Sequence, residues 1–453
     1  VRKFNLELDV KTELRQYLSG TVHFIGCGGA GMAPMAQILL ERGFKVSGSD
    51  LESSSKTAAL QRSGATVYIG HHSSNIPAAA PCLIVHSSAV KSDNPEMLQA
   101  AALGYPVIRR GEMLALLAST YKRPVAISGS HGKTSITAML AHILRECGNN
   151  CGFMVGGKIN TGVSSAAGDG DIFITEADES DGSHTAIHAR LGIVPNVEDD
   201  HCWNVGGIEQ LYRNFQQFAM QCQHLIYCDH ENSDRIFASH PAAVRLTRSA
   251  ILADGYFSHC NPDKLKEIHG YQRLNAAMAV AGAVELGITR QAAETAVLTF
   301  SGVARRMTTH LITAELAIIE DYAHHPTELS AALDCLKRRF PGHYCRVVFQ
   351  PHRYARLRQY FEDFVKILRS PDAVVITPVF AAWVETEGVG SAELAKSIGC
   401  NAIFSDEPWG KMAPQLLQKP DGRPLLLAVI GAGDLEQLIP HLLASRAASA
   451  ATE

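Results

Sequence analysis

Two glycine-rich stretches hold the residue types that bind phosphate. The first, Gly26-Cys27-Gly28-Gly29-Ala30-Gly31, spells G-x-G-x-x-G between an expected strand and an expected helix that opens at Met32. Asp50 lies 19 residues beyond Gly31, at the end of the next expected strand. Glycines let the backbone approach a pyrophosphate, the helix N-terminus stabilises its charge, and a carboxylate accepts ribose hydroxyls. The pattern reports a diphosphate linked to a ribose, and both a nicotinamide dinucleotide and a UDP-sugar satisfy it. The second stretch is Ser128-Gly129-Ser130-His131-Gly132-Lys133-Thr134-Ser135. It keeps the Gly-Lys-Thr core of a P-loop but not the longer G-x-x-x-x-G-K spacing, because position 127 is Ile. Its backbone N–H groups can cradle phosphates, Lys133 can bridge β and γ oxygens, and Thr134 can ligate Mg²⁺. Two nucleotide sites in one chain favour a ligase or kinase over a dehydrogenase.

Acidic and histidine runs follow. Glu176-Ala177-Asp178-Glu179-Ser180-Asp181 closes one expected strand, and Asn196-Val197-Glu198-Asp199-Asp200-His201 closes the next. Ligands of open α/β sheets sit at the carboxyl ends of strands, so both runs should converge on the P-loop. Hard oxygen donors suit Mg²⁺, and Glu176 and His201 are the expected direct metal ligands. Further on stand Asp321-Tyr322-Ala323-His324-His325-Pro326-Thr327-Glu328 and Phe349-Gln350-Pro351-His352-Arg353-Tyr354-Ala355-Arg356. The paired histidines lack further ligands at zinc spacing. His352, Arg353 and Arg356 have instead the make-up of a carboxylate clamp, in a segment that reads as a substrate wall.

Positioning these groups requires alternating strands and helices, which predicts α/β architecture with parallel sheets. Expected strands are Val22–Ile25, Val46–Ser49, Pro124–Ser128, Ile172–Glu176, Leu191–Pro195 and His224–Cys228. A third series is Ala317–Asp321, Arg346–Gln350, Ala373–Thr377, Ala402–Ser405 and Leu425–Ile430. Ile136, Met139, Leu140, Ile143 and Leu144 make a helical stripe after the P-loop, ended by Gly148. Boundaries near Tyr121 and Thr308 divide the chain into 1–121, 122–308 and 309–453: an N-terminal Rossmann-like domain, a central P-loop ATPase-type α/β domain and a C-terminal Rossmann-like domain.

The chain's 453 residues accommodate about three domains of ordinary size. With 46% hydrophobic and 19% charged residues it is neither disordered nor a coiled coil. Lys plus Arg number 41 against 45 Asp plus Glu, so no basic excess exists to drive nucleic-acid or anionic-membrane binding. The 11 cysteines form no C-x-x-C pair, which fits reduced thiols. The longest apolar run, around Leu425–Ile430, is too short to span a bilayer. No leader-type apolar segment is seen, and a cytoplasmic location is expected.

In this order the residues resemble the Mur ligases. The resemblance is carried by Gly26–Met32, Val107–Leu114, Gly129–Ala138, Glu176–Asp181, Asn196–His201, Phe300–Arg306, Asp321–Glu328 and Phe349–Arg358. Phe349-Gln350-Pro351-His352-Arg353 looks like the alanine-adding branch of that family more than the branch that recycles murein peptides. The resemblance implies an ATP-dependent amide ligase of peptidoglycan precursor synthesis, with ATP and Mg²⁺ (or Mn²⁺) as cofactors. Its substrates would be UDP-N-acetylmuramate and L-alanine, joined through an acyl phosphate, in a monomer or weak homodimer. By the same resemblance Thr134 and Glu176 would hold one metal ion and His201 a second. Gly129, Ser130, His131, Gly132, Lys133, Thr134 and Ser135 would bind ATP phosphates, with Asn275 at adenine, Asp321 at the ribose and Arg306 at a phosphate. Lys133, Glu176, His201, His324 and Arg353 would be the catalytic set. Gly26, Gly28, Gly29, Ala30, Gly31, Met32, Asp50 and His71 would face the UDP-sugar. Tyr322, His324, His352, Arg353 and Arg356 would surround the amino-acid and lactyl carboxylates.

The chain departs from the family pattern in four places, one of them the stretch from Arg245 to Gly270, which is shorter than the family's. Tyr271-Gln272-Arg273-Leu274-Asn275 keeps only the last Asn of the usual adenine motif, Cys202-Trp203 replaces Leu-Asp, and Trp383 stands where glycine is usual. Those departures leave open a paralogous ligase with another amino acid or peptide, and a non-catalytic UDP-sugar-binding homologue.

Overall fold

The computed structural model describes residues 20–450 except 80, 158, 161, 200–201, 203–204, 266–267, 269, 382–389 and 420. His201, Trp203 and Trp383 therefore lie outside the described residues. The chain divides into two compact units, Val1–Pro262 with Leu274–Ser301, and Asp263–Arg273 with Gly302–Glu453. The first unit holds two sheets and the second holds one.

The first sheet comprises β1 (Thr21–Ile25), β2 (Lys45–Asp50), β3 (Thr66–Ile69), β4 (Cys82–His86) and β5 (Val107–Arg109), all parallel, in the order β3-β2-β1-β4-β5. Strand order reverses between β1 and β4, so the Gly26 loop leaving β1 stands at a topological switch point. Helix Met32–Glu41 follows and buries Met32, Met35, Ile38 and Leu39. Sequence reading finds β1 and β2 but not β3, β4 or β5.

The second sheet comprises β6 (Arg123–Ile127), β7 (Gly152–Met154), β8 (Ser165–Ala166), β9 (Ile172–Glu176), β10 (Leu191–Val194), β11 (His224–Cys228) and β12 (Ala243–Leu246). Its order, β12-β11-β10-β6-β9-β7-β8, sets β6 between β9 and β10. The P-loop that leaves β6 is consequently flanked by the ends of the two strands that carry the acidic runs, as expected.

The second unit contains β13 (Thr308–Ile312), β14 (Leu316–Asp321), β15 (Tyr344–Phe349), β16 (Ala373–Ile376), β17 (Ala402–Phe404) and β18 (Leu425–Ile430), in the order β13-β14-β18-β15-β16-β17. Strand β18 reads Leu-Leu-Leu-Ala-Val-Ile and is buried throughout, as a parallel strand covered on both faces must be. Its alternation separates two cores: Leu425, Leu427 and Val429 pack with Ile318 and Val348, while Leu426, Ala428 and Ile430 pack with Val347 and Phe349. No described helix is long and apolar enough to cross a membrane. All eleven cysteines are free, and burial pushes the Cys82, Cys151 and Cys222 thiols up to about 12.

The Gly26 loop is pinned to β2, because the Gly26 and Cys27 amides both donate to Ser49 O, at 2.8 and 2.9 Å. Gly48 permits that approach: a Cβ there would lie 2.7 Å from Phe24 O and 2.8 Å from Cys27 Cβ. Gly48→Val should lower stability by about 3 kcal/mol, read as the urea midpoint. An unchanged midpoint would refute the close approach.

Candidate active site

At the first loop, Gly28 N donates to Asp50 Oδ2 at 2.8 Å. A Cβ on Gly28 would lie 3.0 Å from that oxygen and 3.0 Å from Thr57 Cγ2, so only glycine fits comfortably. Gly29 N closes the turn on Gly26 O at 3.2 Å. Ala30 is exposed and Met32 is buried beneath the loop. No side chain caps the helix that starts after Gly31, although Ser54 and Asn94 cap neighbouring helices. Met32 N and Ala33 N instead turn back on the loop, both donating to Gly29 O at 3.1 and 3.0 Å. Burial, reinforced by the Asp50 charge, pushes the Cys27 thiol up to about 12 and makes it a packing residue rather than a nucleophile.

His71 follows β3 beside Asp50, where Gly70 N donates to Asp50 O at 2.8 Å. Its Nδ1 lies 3.2 Å from Glu96 Oε1 and 3.0 Å from Ser49 Oγ. Glu96 is fully buried and also accepts from Ser49 Oγ at 2.7 Å and Asn75 Nδ2 at 2.9 Å, with His23 Nε2 at 2.9 Å. Sequence reading missed this network. Glu96 sits in the first turn of helix Pro95–Ala102 and looks there like an ordinary dipole-complementing acid.

At the second loop, helix Lys133–Glu146 starts from Gly132 at φ +87°, again without a side-chain cap. Gly129 has φ +141°, and a Cβ there would come 2.8 Å from Asn196 O. Asn196 latches the loop: its Oδ1 accepts from His131 N at 2.8 Å and its Nδ2 donates to His131 O at 3.2 Å. Glu198 N donates to Ser130 Oγ at 2.8 Å. Ser135 and Asn275 are buried, and a Cβ on Gly132 would lie 2.7 Å from Asn275 Oδ1, so the Asn275 amide rests on the loop. Thr134 Oγ1 donates to Glu176 Oε2 at 3.0 Å, bringing together two of the three expected metal ligands.

Lys133 Nζ donates to Glu179 Oε2 at 2.8 Å and Oε1 at 3.0 Å, and to Gly129 O at 2.5 Å. Burial disfavours its charge, but Glu179 and Asp178 outweigh burial and hold the ammonium above its usual range. Burial pushes the Glu179 carboxyl up to about 7 against the pull of Lys133, helped by the nearby Asp178. Arg110, from the helix after β5, joins the two loops. Its Nη2 donates to Asp181 Oδ2 at 2.7 Å and lies 3.7 Å from Asp178 Oδ2, while a Cβ on Gly31 would be 3.1 Å from its Nη1. A cavity of about 490 Å³ opens there, lined by His86, Ser88, Arg109, Arg110, Asp181 and Ser183. Arg110 lies within Val107–Leu114, where nothing in the sequence marks it as a link between the loops.

The second unit gathers the later candidates. Tyr322 and His324 rings lie 5.6 Å apart, His324 and His352 5.5 Å, and His352 stacks on Phe380 at 5.7 Å. Arg306 lies 5.0 Å over the Tyr322 ring and 3.3 Å from Glu328 Oε1. Two positions differ from a simple ligand-facing reading. Arg356 is 1% exposed and its Nη1 meets His352 Nδ1 at 3.2 Å, so it supports His352 from beneath. Asp321 is 3% exposed and accepts from Ala323 N and Met307 N, each at 2.8 Å, and from Tyr271 OH at 3.3 Å. Burial raises Asp321 to about 6, with Arg306 pulling the other way.

The chain resembles known proteins along nearly its whole length. The profile of the Mur ligase family catalytic domain matches residues 21–122, and that of the Mur ligase glutamate ligase domain matches residues 305–419. UDP-N-acetylmuramate–L-alanine ligase of Aquifex aeolicus is 36% identical over 410 residues, covering 85% of this chain and 89% of that protein. The protein of the same name from Syntrophomonas wolfei is 33% identical over 452 residues, 93% of this chain and 96% of its own. Among solved structures, UDP-N-acetylmuramate-alanine ligase of Thermotoga maritima superposes with a TM-score of 0.75 at 23% identity, over 95% of this chain and 99% of its own. A murein peptide ligase of Psychrobacter arcticus gives 0.63 at 19%, over 94% and 98%.

Burial would raise the Glu96 carboxyl, but hydrogen bonds from His23, Ser49 and Asn75 outweigh it and hold the group down to about 2. A carboxyl depressed in the folded state stabilises above its unfolded value and loses that stabilisation as pH falls through the folded one. Glu96→Gln should therefore be less stable at pH 7 by about 3 kcal/mol, and the gap should close as pH drops from about 4.5 towards 2. Denaturant titrations across that window check this, and a gap independent of pH would refute it.

Proposed function

The chain belongs to the Mur ligase family, and from that premise we propose that it is an ATP-dependent ligase joining L-alanine to the lactyl carboxylate of UDP-N-acetylmuramate. The observation that carries the ATP-dependent chemistry is the meeting of Lys133, Thr134 and Glu176 at the mouth of an uncapped glycine loop. The choice of L-alanine rests on relatives of that name at 33–36% identity. We read the three sheets as three domains, 1–121 for the UDP-sugar, 122–308 for ATP and 309–453 for the amino acid, in a cytoplasmic enzyme.

A carboxylate approaching a γ-phosphate meets like-charge repulsion, which Lys133 and the loop N–H groups counter. Thr134 Oγ1 and Glu176 Oε2, 3.0 Å apart, are hard donors of the kind Mg²⁺ or Mn²⁺ takes and would hold one ion, with His201 at a second. Such an ion, when bound, neutralises phosphate charge. Asn275, resting on Gly132, would face the nucleotide base, with Arg306 at a phosphate and Asp321 acting on the ribose side. Gly28, Gly31, Asp50 and His71 would hold the UDP-sugar, whose sugar end suits the cavity beside Arg110. Tyr322, His324, His352 and Arg353 would position the amine and carboxylate of the amino acid, with Arg356 bracing His352.

Purified protein supplied with ATP, Mg²⁺ and UDP-N-acetylmuramate should release phosphate only when an amino acid is added, fastest with L-alanine. Lys133→Ala should lower that rate by about a thousandfold. A faster rate with another amine would move the specificity. No release while a UDP-sugar still binds would leave the non-catalytic alternative standing.

A further inference from the structure

An ammonium carries three N–H donors and no acceptor. Lys133 uses them on Gly129 O at 2.5 Å, Ser130 O at 3.3 Å and both oxygens of Glu179, at 2.8 and 3.0 Å. The two carbonyls belong to the glycine loop itself. Phosphate oxygens approaching over that loop would have to meet the remaining side of the ammonium, and there the Glu179 carboxylate stands. Glu179 is fully buried, and among the described residues Lys133 is the one side chain that hydrogen-bonds to its carboxylate. Its neighbour in the same acidic run, Glu176, is committed elsewhere, to Thr134 Oγ1 at 3.0 Å and Gly156 N at 2.5 Å. The two glutamates of one run therefore do different work.

We propose that Glu179 is an internal stand-in for phosphate: it occupies the side of Lys133 that the β and γ oxygens of ATP require, and nucleotide must displace it to bind. This rests on the reading of the loop as the ATP site. Carboxylate and phosphate are alternative anions for one cation, and charge-assisted hydrogen bonds to it are among the stronger ones a protein makes. The exchange lowers ATP affinity and ties occupation of the site to release of Lys133. A displaced carboxylate left near a triphosphate adds repulsion in the same direction.

Calorimetric titration of wild type, Glu179→Gln and Glu179→Asp with ATP, and with adenosine as a control without phosphates, tests this. Glu179→Gln should bind ATP about tenfold more tightly than wild type, with adenosine unchanged. Glu179→Asp withdraws the carboxylate by one methylene and should also tighten ATP, by less; it decides the matter alone if the Gln variant does not fold. Equal or weaker ATP binding by a folded variant overturns the inference while leaving the ATP site intact. A wild type that binds no ATP overturns both.

Discussion

A lysine ammonium buried at the mouth of a glycine loop can be kept charged only if counter-charge is buried with it, and that requirement organises the centre of the first unit. An isolated ammonium out of water costs several kcal/mol even after relaxation. Lys133 meets the cost with Glu179 and Asp178, both from the segment that leaves β9. Those carboxylates bring a debt of their own, which Arg110 partly settles by lying 3.7 Å from Asp178 while holding Asp181 at 2.7 Å. Arg110 also covers Gly31, so the charge chain begun at Lys133 ends on the other glycine loop. The acid run after β9 and the absence of a side chain at Gly31 become parts of one electrostatic arrangement.

The Glu96 network solves the same problem with different material. It too buries a carboxylate at the carboxyl end of a parallel sheet, but its donors are a serine, an asparagine and two histidines rather than a lysine. Such donors leave the carboxylate saturated and its position fixed, where Lys133 and Glu179 form a pair that another anion can separate. One network stabilises the wall behind His71; the other is built to be exchanged.

Much of this was legible in the residues. Strands β9, β11 and β18 were located to the residue because each is a bounded apolar run. Both glycine loops are legible from their motifs, and the convergence of the acid runs from their places at the carboxyl ends of expected strands. Several strands that escape sequence reading are short or lie at edges, as with β3, largely exposed, and β8, two residues long. Strand β4 escapes although it is five residues long and buried inside its sheet. Glu96 escaped because its partners lie 21 to 73 positions away and nothing local marks it as buried. An arginine beside a histidine in a motif suggests a ligand, and on that ground alone Arg356 reads as part of a clamp. Its depth beneath His352 depends on how helix Tyr354–Gln359 packs, which spacing does not encode.

Backbone strain adds a last constraint, confined among the described residues to the second unit. Three non-glycine residues there adopt positive φ: Arg305 at 62°, Met307 at 49° and Arg353 at 69°. Each such residue costs about 1–3 kcal/mol and persists only where surrounding structure holds it. At Arg353 the hold is backbone on backbone, with Arg353 N donating to Phe380 O at 2.9 Å and Phe380 N to Pro351 O at 2.8 Å. At Arg305, Nη2 donates to the carbonyls of Gly431 at 2.7 Å and Gly433 at 2.9 Å, with its guanidinium 4.8 Å over Tyr322. Both strained arginines border the Tyr322–His324–His352 ring cluster. Strain locked by neighbouring backbone fixes these side chains in advance, and that rigidity is what any group held against the cluster would meet.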